Sequence, residues 1–331
     1  MEVTGLELEY NGRAQTLVSS ILAKGDVYYA VGTQLTSSNY SSKGSTTKPS
    51  RTNVGTYTVY YYATGNDNYN SKSGSVTAKI LQKQAVLMEE TNCSVSTSDE
   101  RYIFLNEEIT QRKKDVATIT IKNTSGAPRN TETEIAKWDV SAVGSEGSVY
   151  AWLYTNAEDT AMCDLYICAD GIITASNGAH LLSYYTNCTS IKGLEYLDTS
   201  SVPDMSRMFA GCMALTDLDV SGLDTSSVTD MSNMFYYCEN LTKLDLKSFN
   251  TTNVTNMSLM FDFCGKLAEL DVSSFNTINV NDMASMFGHC YALTTLNIIN
   301  FNTSNVTDMG WMFFGSSALT TLDVTKFDTS K

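Results

Sequence analysis

The chain has 331 residues, 42% of them apolar and only 3 of them proline, which suffices for two or three packed domains and excludes a disordered polymer. Its formal charge is −14 with only 22 Lys+Arg, and no basic stripe interrupts the acidity, so nucleic acid is not an expected partner. Residues 1–8 lack the basic and apolar regions of a secretion signal, and no apolar run approaches the ~18 residues that span a bilayer, so a soluble chain without membrane insertion is expected.

In chain order, residues 1–83 alternate in the manner of half-buried strands. Leu6, Leu8 and Tyr10 share one face of a first segment, and Tyr57, Val59, Tyr61 and Ala63 share one face of another. Asn11-Gly12 lies between two such segments and has the residue types that accept positive φ in a two-residue hairpin. Residues 37–48 show no apolar period and are expected as a long exposed loop. The strings Tyr10-Asn11-Gly12, Gly55-Thr56-Tyr57-Thr58-Val59-Tyr60-Tyr61 and Gly65-Asn66-Asp67-Asn68-Tyr69 resemble small immunoglobulin-like modules of bacterial surface proteins. The resemblance implies a β-sandwich over 1–83 that serves mostly as a spacer. Residues 84–92 break the alternation and are expected as a linker or first capping segment. Residues 93–190 are expected to form an N-terminal cap, with strand-like stretches at 138–141, 147–153 and 164–167.

From residue 191 the chain repeats every 26 positions: Met205, Met231, Met257, Met283 and Met309 fall in one register, and Phe209, Phe235, Phe261, Phe287 and Phe313 in another. Within one unit, Leu215, Leu218 and Val220 have strand spacing. Met231, Met234, Phe235 and Cys238 then fall at i, i+3, i+4 and i+7, the spacing of a helical face. Each unit is therefore expected to hold a short strand, a turn through Asp224-Thr225-Ser226, and one to two helical turns capped by Thr229 or Asp230. A single unit of this kind cannot bury its apolar side alone and must stack on its neighbours. The consensus L-x-x-L-D-V-S-x-F-x-T-S-x-V-T-D-M-S-x-M-F-x-x-C resembles the 26-residue repeat of BspA-like leucine-rich-repeat surface proteins of bacteria, with departures at Pro203, Ile278 and Asn297. The expected fold class is α+β: an all-β immunoglobulin-like sandwich, then a capped, leucine-rich-repeat-like right-handed solenoid of short parallel strands and short helices over 191–331. Because the chain stops in mid-unit at Asp328-Thr329-Ser330-Lys331, the array is expected to be truncated at its C-terminus.

Four of the 8 cysteines, Cys212, Cys238, Cys264 and Cys290, occupy one repeat position that becomes Ser316, which reads as buried thiols rather than disulfides. Cys163 and Cys168 sit five apart on a strand and point to opposite faces, so they make no metal pair. His180 and His289 are the only histidines; neither has a ligand cluster at metal spacing, and His289 is expected on a solvent face. Phosphate-binding glycine motifs are absent, so no catalytic residue, cofactor or metal is expected.

Two faces of the array are candidate binding surfaces. On the concave strand face Asp219, Asp245, Asp271, Asn297 and Asp323 form one outward column at ~4.8 Å spacing, with Lys243 and Lys247 beside it. Such a column either is compensated locally or forms a groove for a cation or basic ligand. On the convex face stand Tyr236, Tyr237, Phe263, Trp311 and Phe314. A further column, Asp198, Asp224, Asn250, Asn276, Asn302 and Asp328, is followed each time by Thr and is expected to cap its own turns. The expected function is that of a non-enzymatic, monomeric fragment of a bacterial cell-surface protein. The resemblance implies an extracellular location and adhesion, through the repeat surface, to a host or bacterial surface protein or glycan. The alternatives are a purely structural spacer or stalk, and a hydrolase site within 93–190 built from Glu146, Asp164 and Asp170.

Overall fold

The computed structural model describes residues 2–9, 14–21, 25–51, 55–65, 70–81, 85–87, 111–124, 126–128, 133–142, 145 and 147–330. The Asn11-Gly12 turn, Glu146 and residues 66–69 and 88–110 lie outside the described residues. The chain divides into two units, Met1–Lys83 and Gln84–Lys331.

The N-terminal unit contains strands β1 (Glu2–Gly5), β2 (Glu7–Glu9), β3 (Gln15–Thr16), β4 (Val18–Ile21), β5 (Val27–Val31), β6 (Ser50–Arg51), β7 (Gly55–Ala63) and β8 (Lys72–Leu81), with one helical turn, α1 (Tyr40–Lys43). Its main sheet has the order β2-β8-β7-β5, while β1 pairs with β4 and β3 with β6 in separate ribbons. Alternation along β7 sends Val59 and Tyr61 into a core with Val3, Leu17, Val18, Tyr29, Ala78 and Ile80. Tyr61 faces Gly74 across the β7/β8 pair, and a Cβ on Gly74 would fall 2.7 Å from the Tyr61 hydroxyl oxygen, so glycine makes room for the ring. The segments flanking Asn11-Gly12 do not pair with each other: β2 runs parallel to β8 and β3 antiparallel to β6. This mixed sheet with two detached ribbons does not support the immunoglobulin-like sandwich expected from the sequence.

The C-terminal unit opens with β9 (Ala85–Leu87), in the stretch expected as a linker or capping segment. It continues with β10 (Val116–Lys122), β11 (Glu134–Asp139), β12 (Tyr150–Thr155), β13 (Cys163–Cys168), β14 (Ile173–Ala175), β15 (Ser190–Lys192) and β16 (Leu197–Asp198). A five-stranded sheet has the order β11-β12-β13-β10-β15, and a second sheet the order β16-β14-β9. One face of the larger sheet carries Ile119, Ile121, Ala151, Leu153, Cys163, Leu165 and Ile167 into the main core, whereas Trp152, Tyr154 and Cys168 cluster on the other. The two thiols of β13 thus point to opposite sides.

The 26-residue period persists in space, but not as expected. Among the described residues the only α-helix is the four-residue α1, and regular structure is otherwise almost entirely β, so the α+β leucine-rich-repeat-like right-handed solenoid with short helices is not found. The Met-rich segments are successions of turns. Their backbone shows why: Met231, Asn233, Phe235 and Tyr237 donate their N–H groups to Asn256, Ser258, Met260 and Asp262 of the next repeat. The residues between them, Met234, Tyr236 and Cys238, donate to carbonyls three positions back in their own repeat. An α-helix needs every interior N–H for its own i−4 carbonyl, and here alternate ones leave the segment. Asn233 and Tyr237 have positive φ, 58° and 57°, which breaks any helical run within a turn. Asp230 caps no helix; its Oδ1 accepts the N–H of Ser232 at 2.7 Å, and Thr229 donates to Pro203 in the previous repeat. Among the described residues after Asp198, regular strands appear only at β17 (Glu269–Asp271) and β18 (Thr295–Asn297), which pair in parallel.

Side chains lock the repeats in register. The Phe209, Phe235, Phe261 and Phe287 rings stack at 5.7 Å between centroids with planes within 10°, and Phe313 follows at 5.9 Å. The thiols of Cys238, Cys264 and Cys290 donate to the carbonyls of Phe209, Phe235 and Phe261, and Ser316 makes the same bond to Phe287. Burial pushes Cys238 and Cys290 up to about 12 and raises Cys212 and Cys264 as well. A third ladder is the buried threonine column. Thr251 Oγ1 donates to Asn276 O at 3.0 Å and accepts Asn276 N–H at 2.7 Å, and Thr199, Thr225, Thr277 and Thr303 repeat the pattern.

Two outcomes follow from these ladders. Thr251→Val leaves both backbone groups of Asn276 without this partner and should cost about 1–3 kcal/mol in chemical denaturation, whereas Thr252→Val at the adjacent exposed position should cost little. Because the folded thiols titrate above their ordinary value of 9.0, their contribution is complete below that value and is lost as pH rises toward about 12. Alkaline unfolding of the repeats should set in above pH ~9, and Cys264→Ser, mimicking Ser316, should fold and shift that onset upward; an unmoved onset in pH-jump fluorescence would refute the assignment.

Candidate functional site

The strand face carries the acidic column as expected in position. Asp219, Asp245, Asp271, Asn297 and Asp323 are all exposed, in successive repeats, and Asp271 and Asn297 are paired neighbours of β17 and β18. Each of these groups is already engaged. Asp219 Oδ1 accepts the N–H and hydroxyl of Ser221 at 3.0 and 2.6 Å, Asp271 those of Ser273 at 3.0 and 2.6 Å, and Asp323 those of Thr325 at 3.0 and 2.6 Å. Asp245 and Asn297 accept the N–H of Lys247 and Ile299. The hydroxyl bonds, followed by the backbone amides, hold Asp219, Asp271 and Asp323 below the usual carboxylate range. Lys247 reaches Asp245 at 3.6 Å with both side chains largely in water, an ion pair of little energetic weight. Lys243 is exposed, and an open groove of about 550 Å³ runs past Lys243, Asp245, Lys247, Glu269 and Asp271.

The aromatic set is more organised than its sequence suggests. Tyr236 and Tyr237 meet edge to face at 4.7 Å, Tyr237 stacks on Phe263 at 4.2 Å, and Trp311 lies 4.8 Å from Phe314. These two groups are joined by His289, which stacks on Phe263 at 4.0 Å with planes 9° apart and meets Phe314 edge-on at 5.2 Å. All five expected convex residues therefore belong to one continuous chain of ring contacts, to which Tyr291 is added by its 5.9 Å contact with His289. Trp311, Phe314 and Tyr291 are 68%, 54% and 50% exposed. Such a contiguous apolar surface differs from scattered surface aromatics.

His289 is the residue that sequence reasoning missed. It is not a free solvent-face side chain: its Nδ1 lies 2.8 Å from Oδ1 of Asp262, whose side chain is only 6% exposed. Burial raises the Asp262 carboxyl, and the hydrogen bond and charge of His289 oppose that rise. Glycine at 288 is required, because a Cβ there would fall 2.5 Å from Asp262 Oδ1. The signal was present in the alignment of the repeats, where Asp262 and Gly288 hold the position of Tyr236 and Phe314, and His289 that of Tyr237 and Phe263.

Two of the three carboxylates of the hydrolase alternative lie among the described residues. Asp164 is buried and accepts Thr118 Oγ1 and Asn156 Nδ2, both at 2.7 Å, Asp170 is exposed, and Glu146 lies outside the described residues. Among the described residues no cluster of three or more His, Cys, Asp or Glu side chains has the geometry to hold a metal ion, and no helix is long and apolar enough to cross a membrane.

Residues 179–294 and 263–331 match, in two overlapping spans, the family model described as Mycoplasma protein of unknown function, DUF285. No curated protein and no solved structure matches the chain. The resemblance to BspA-like leucine-rich-repeat proteins and to immunoglobulin-like modules is corrected accordingly, since the match is to this family and begins at residue 179. What the C-terminal residues share is the sequence of a bacterial repeat family.

The strand-face carboxylates give a pH test. A folded-state pKa below the ordinary one stabilises above the ordinary carboxylate range and is lost as pH falls through the lowered value. In a carboxyl-carbon NMR titration Asp271 should show a midpoint below 3.8, and Ser273→Ala should move it back up.

Proposed function

We propose that the repeat surface belongs to a non-enzymatic recognition protein displayed outside a bacterial cell, and that it binds a host or bacterial surface protein or glycan through the aromatic face. The observation that carries this reading is the unbroken run of ring contacts from Tyr236 to Trp311, closed by His289. Aromatic side chains contribute large contact area with few rotatable bonds, so little side-chain entropy is lost on binding. The register-locked backbone beneath them adds a preorganised support. A location outside the cell is consistent with the match to a bacterial repeat family, and the net charge of −14 disfavours nucleic acid as the partner.

The strand face is a weaker candidate because its carboxylates are occupied in their own turns and leave fewer free acceptors. A pure spacer or stalk accounts for the stacking of the buried Phe rings but not for a second, half-buried aromatic run through Tyr237, Phe263 and His289. For a monomeric binding protein the decisive experiment is a glycan and surface-protein array probed with the full chain. A captured ligand should be lost in Tyr237→Ala and Phe263→Ala and kept in Asp245→Asn and Asp271→Asn. The reverse pattern would move the site to the strand face, and the absence of any ligand would favour the spacer.

A further inference from the structure

The strand side of the repeats does not close evenly. Thr242 donates both its N–H and its Oγ1 to Thr216 O, at 2.9 and 3.0 Å, and Thr294 makes the same two bonds to Ala268 O at 2.9 and 3.1 Å. Strand pairing follows each of these clamps: Asp217 bridges to Lys243 in the first case, and β17 pairs with β18 in the second. Between Lys243 and Glu269 no such pairing occurs among the described residues. Ala268, which has no hydroxyl, makes neither bond to Thr242 O. The same two repeats stay joined elsewhere, where Met231, Asn233, Phe235 and Tyr237 donate to the next repeat and the Phe235 and Phe261 rings stack at 5.7 Å. Lys266 N–H still reaches Glu239 O at 3.1 Å, so the strands part only beyond residue 266.

The open groove of about 550 Å³ lies at this parting, between residues 242–247 and 268–271. Its volume is that of a small-molecule site, and repeats continue on both sides of it. The two lips differ in charge, with Lys243 and Lys247 on one and Glu269 and Asp271 on the other. Among the described residues Lys243 and Glu269 have no ion-pair partner, and Lys247 has only the water-exposed contact with Asp245 at 3.6 Å. Asp271 spends Oδ1 on Ser273 and keeps Oδ2. The lips also face each other with main-chain groups that neighbouring repeats pair, namely Thr242 O and the N–H of Ala268.

We propose that this groove takes a short peptide with both chain ends free, its carboxylate held by Lys243 and Lys247, its ammonium by Glu269 and Asp271, and its amide bonded to Ala268 N–H and Thr242 O. The site shares no residue with the aromatic run and stands independently of the recognition reading. A metal cation would leave both lysines and the Ala268 amide unmatched, and inorganic phosphate would face two carboxylates. An internal segment of a protein brings the amide but neither terminal charge. A free short peptide supplies all three.

The full chain, titrated with trialanine by calorimetry and amide NMR, should bind it saturably, with the largest shifts at Thr242, Lys243, Ala268 and Glu269. Trialanine acetylated at one end and amidated at the other should bind at least tenfold more weakly. Lys243→Gln and Glu269→Gln, both at exposed positions, should each weaken trialanine tenfold. Ala268→Thr supplies the missing hydroxyl, and should close the groove and abolish binding while Tm holds or rises. Silence toward trialanine, equal affinity for the blocked peptide, or affinity unchanged in Lys243→Gln would overturn the proposal. Calcium or inorganic phosphate saturating the same amides while trialanine stays silent would overturn the ligand class.

Discussion

The C-terminal array depends on one division of backbone hydrogen bonds. From Met231 to Cys238, alternate residues give their N–H groups to the next repeat, and those between close turns within their own. The first set fixes the 26-residue register, because a slip by one residue would send the turn-closing amides outward and orphan the others. The second set bends the chain tightly enough for Met231, Met234, Phe235 and Cys238 all to face inward. The left-handed residues at 233 and 237 are where the two demands meet. Their cost recurs in every repeat and is offset by stacked Phe rings and by thiol and hydroxyl bonds that cross between repeats.

This division explains what was legible in the sequence. The period, the inward set of Met, Phe and Cys, and the self-capping Asx-Thr column were all readable, since each depends on side-chain direction and chemistry. The helix was not. A spacing of i, i+3, i+4 and i+7 says which side chains share a side, and consecutive turns with left-handed residues satisfy it as well as an α-helix does. Only the destination of the amides separates the two, and that information lies one repeat away. The N-terminal unit failed for a similar reason: alternation marked its strands, but β2 pairs with β8, more than sixty residues on, rather than across the nearby Asn11-Gly12.

In the repeats a part of the acidity is turn chemistry. Three columns of Asp and Asn, typified by Asp219, Asp224 and Asp230, each accept the N–H two residues ahead. Asp suits that task because its short carboxylate reaches an amide that the turn would otherwise leave unpaired. Asp262 belongs to none of these columns, and its Oδ1 meets a ring nitrogen of the following repeat, His289 Nδ1 at 2.8 Å.

That contrast separates the columns the fold needs from those it tolerates. Positions 231, 234, 235 and 238 have little choice, because a changed volume in one repeat strains both neighbours. Position 237 and its equivalents have a different constraint: glycine is easiest for the backbone, and any ring placed there must recover the strain through contacts with the ring above or below. A single aromatic residue at such a site would be unfavourable, whereas Tyr237, Phe263 and His289 support one another in sequence. The stack is thus cooperative, and removing its middle ring, Phe263, deprives both Tyr237 and His289 of the ring each lies parallel to. An aromatic run assembled in this way persists through interactions among its own members.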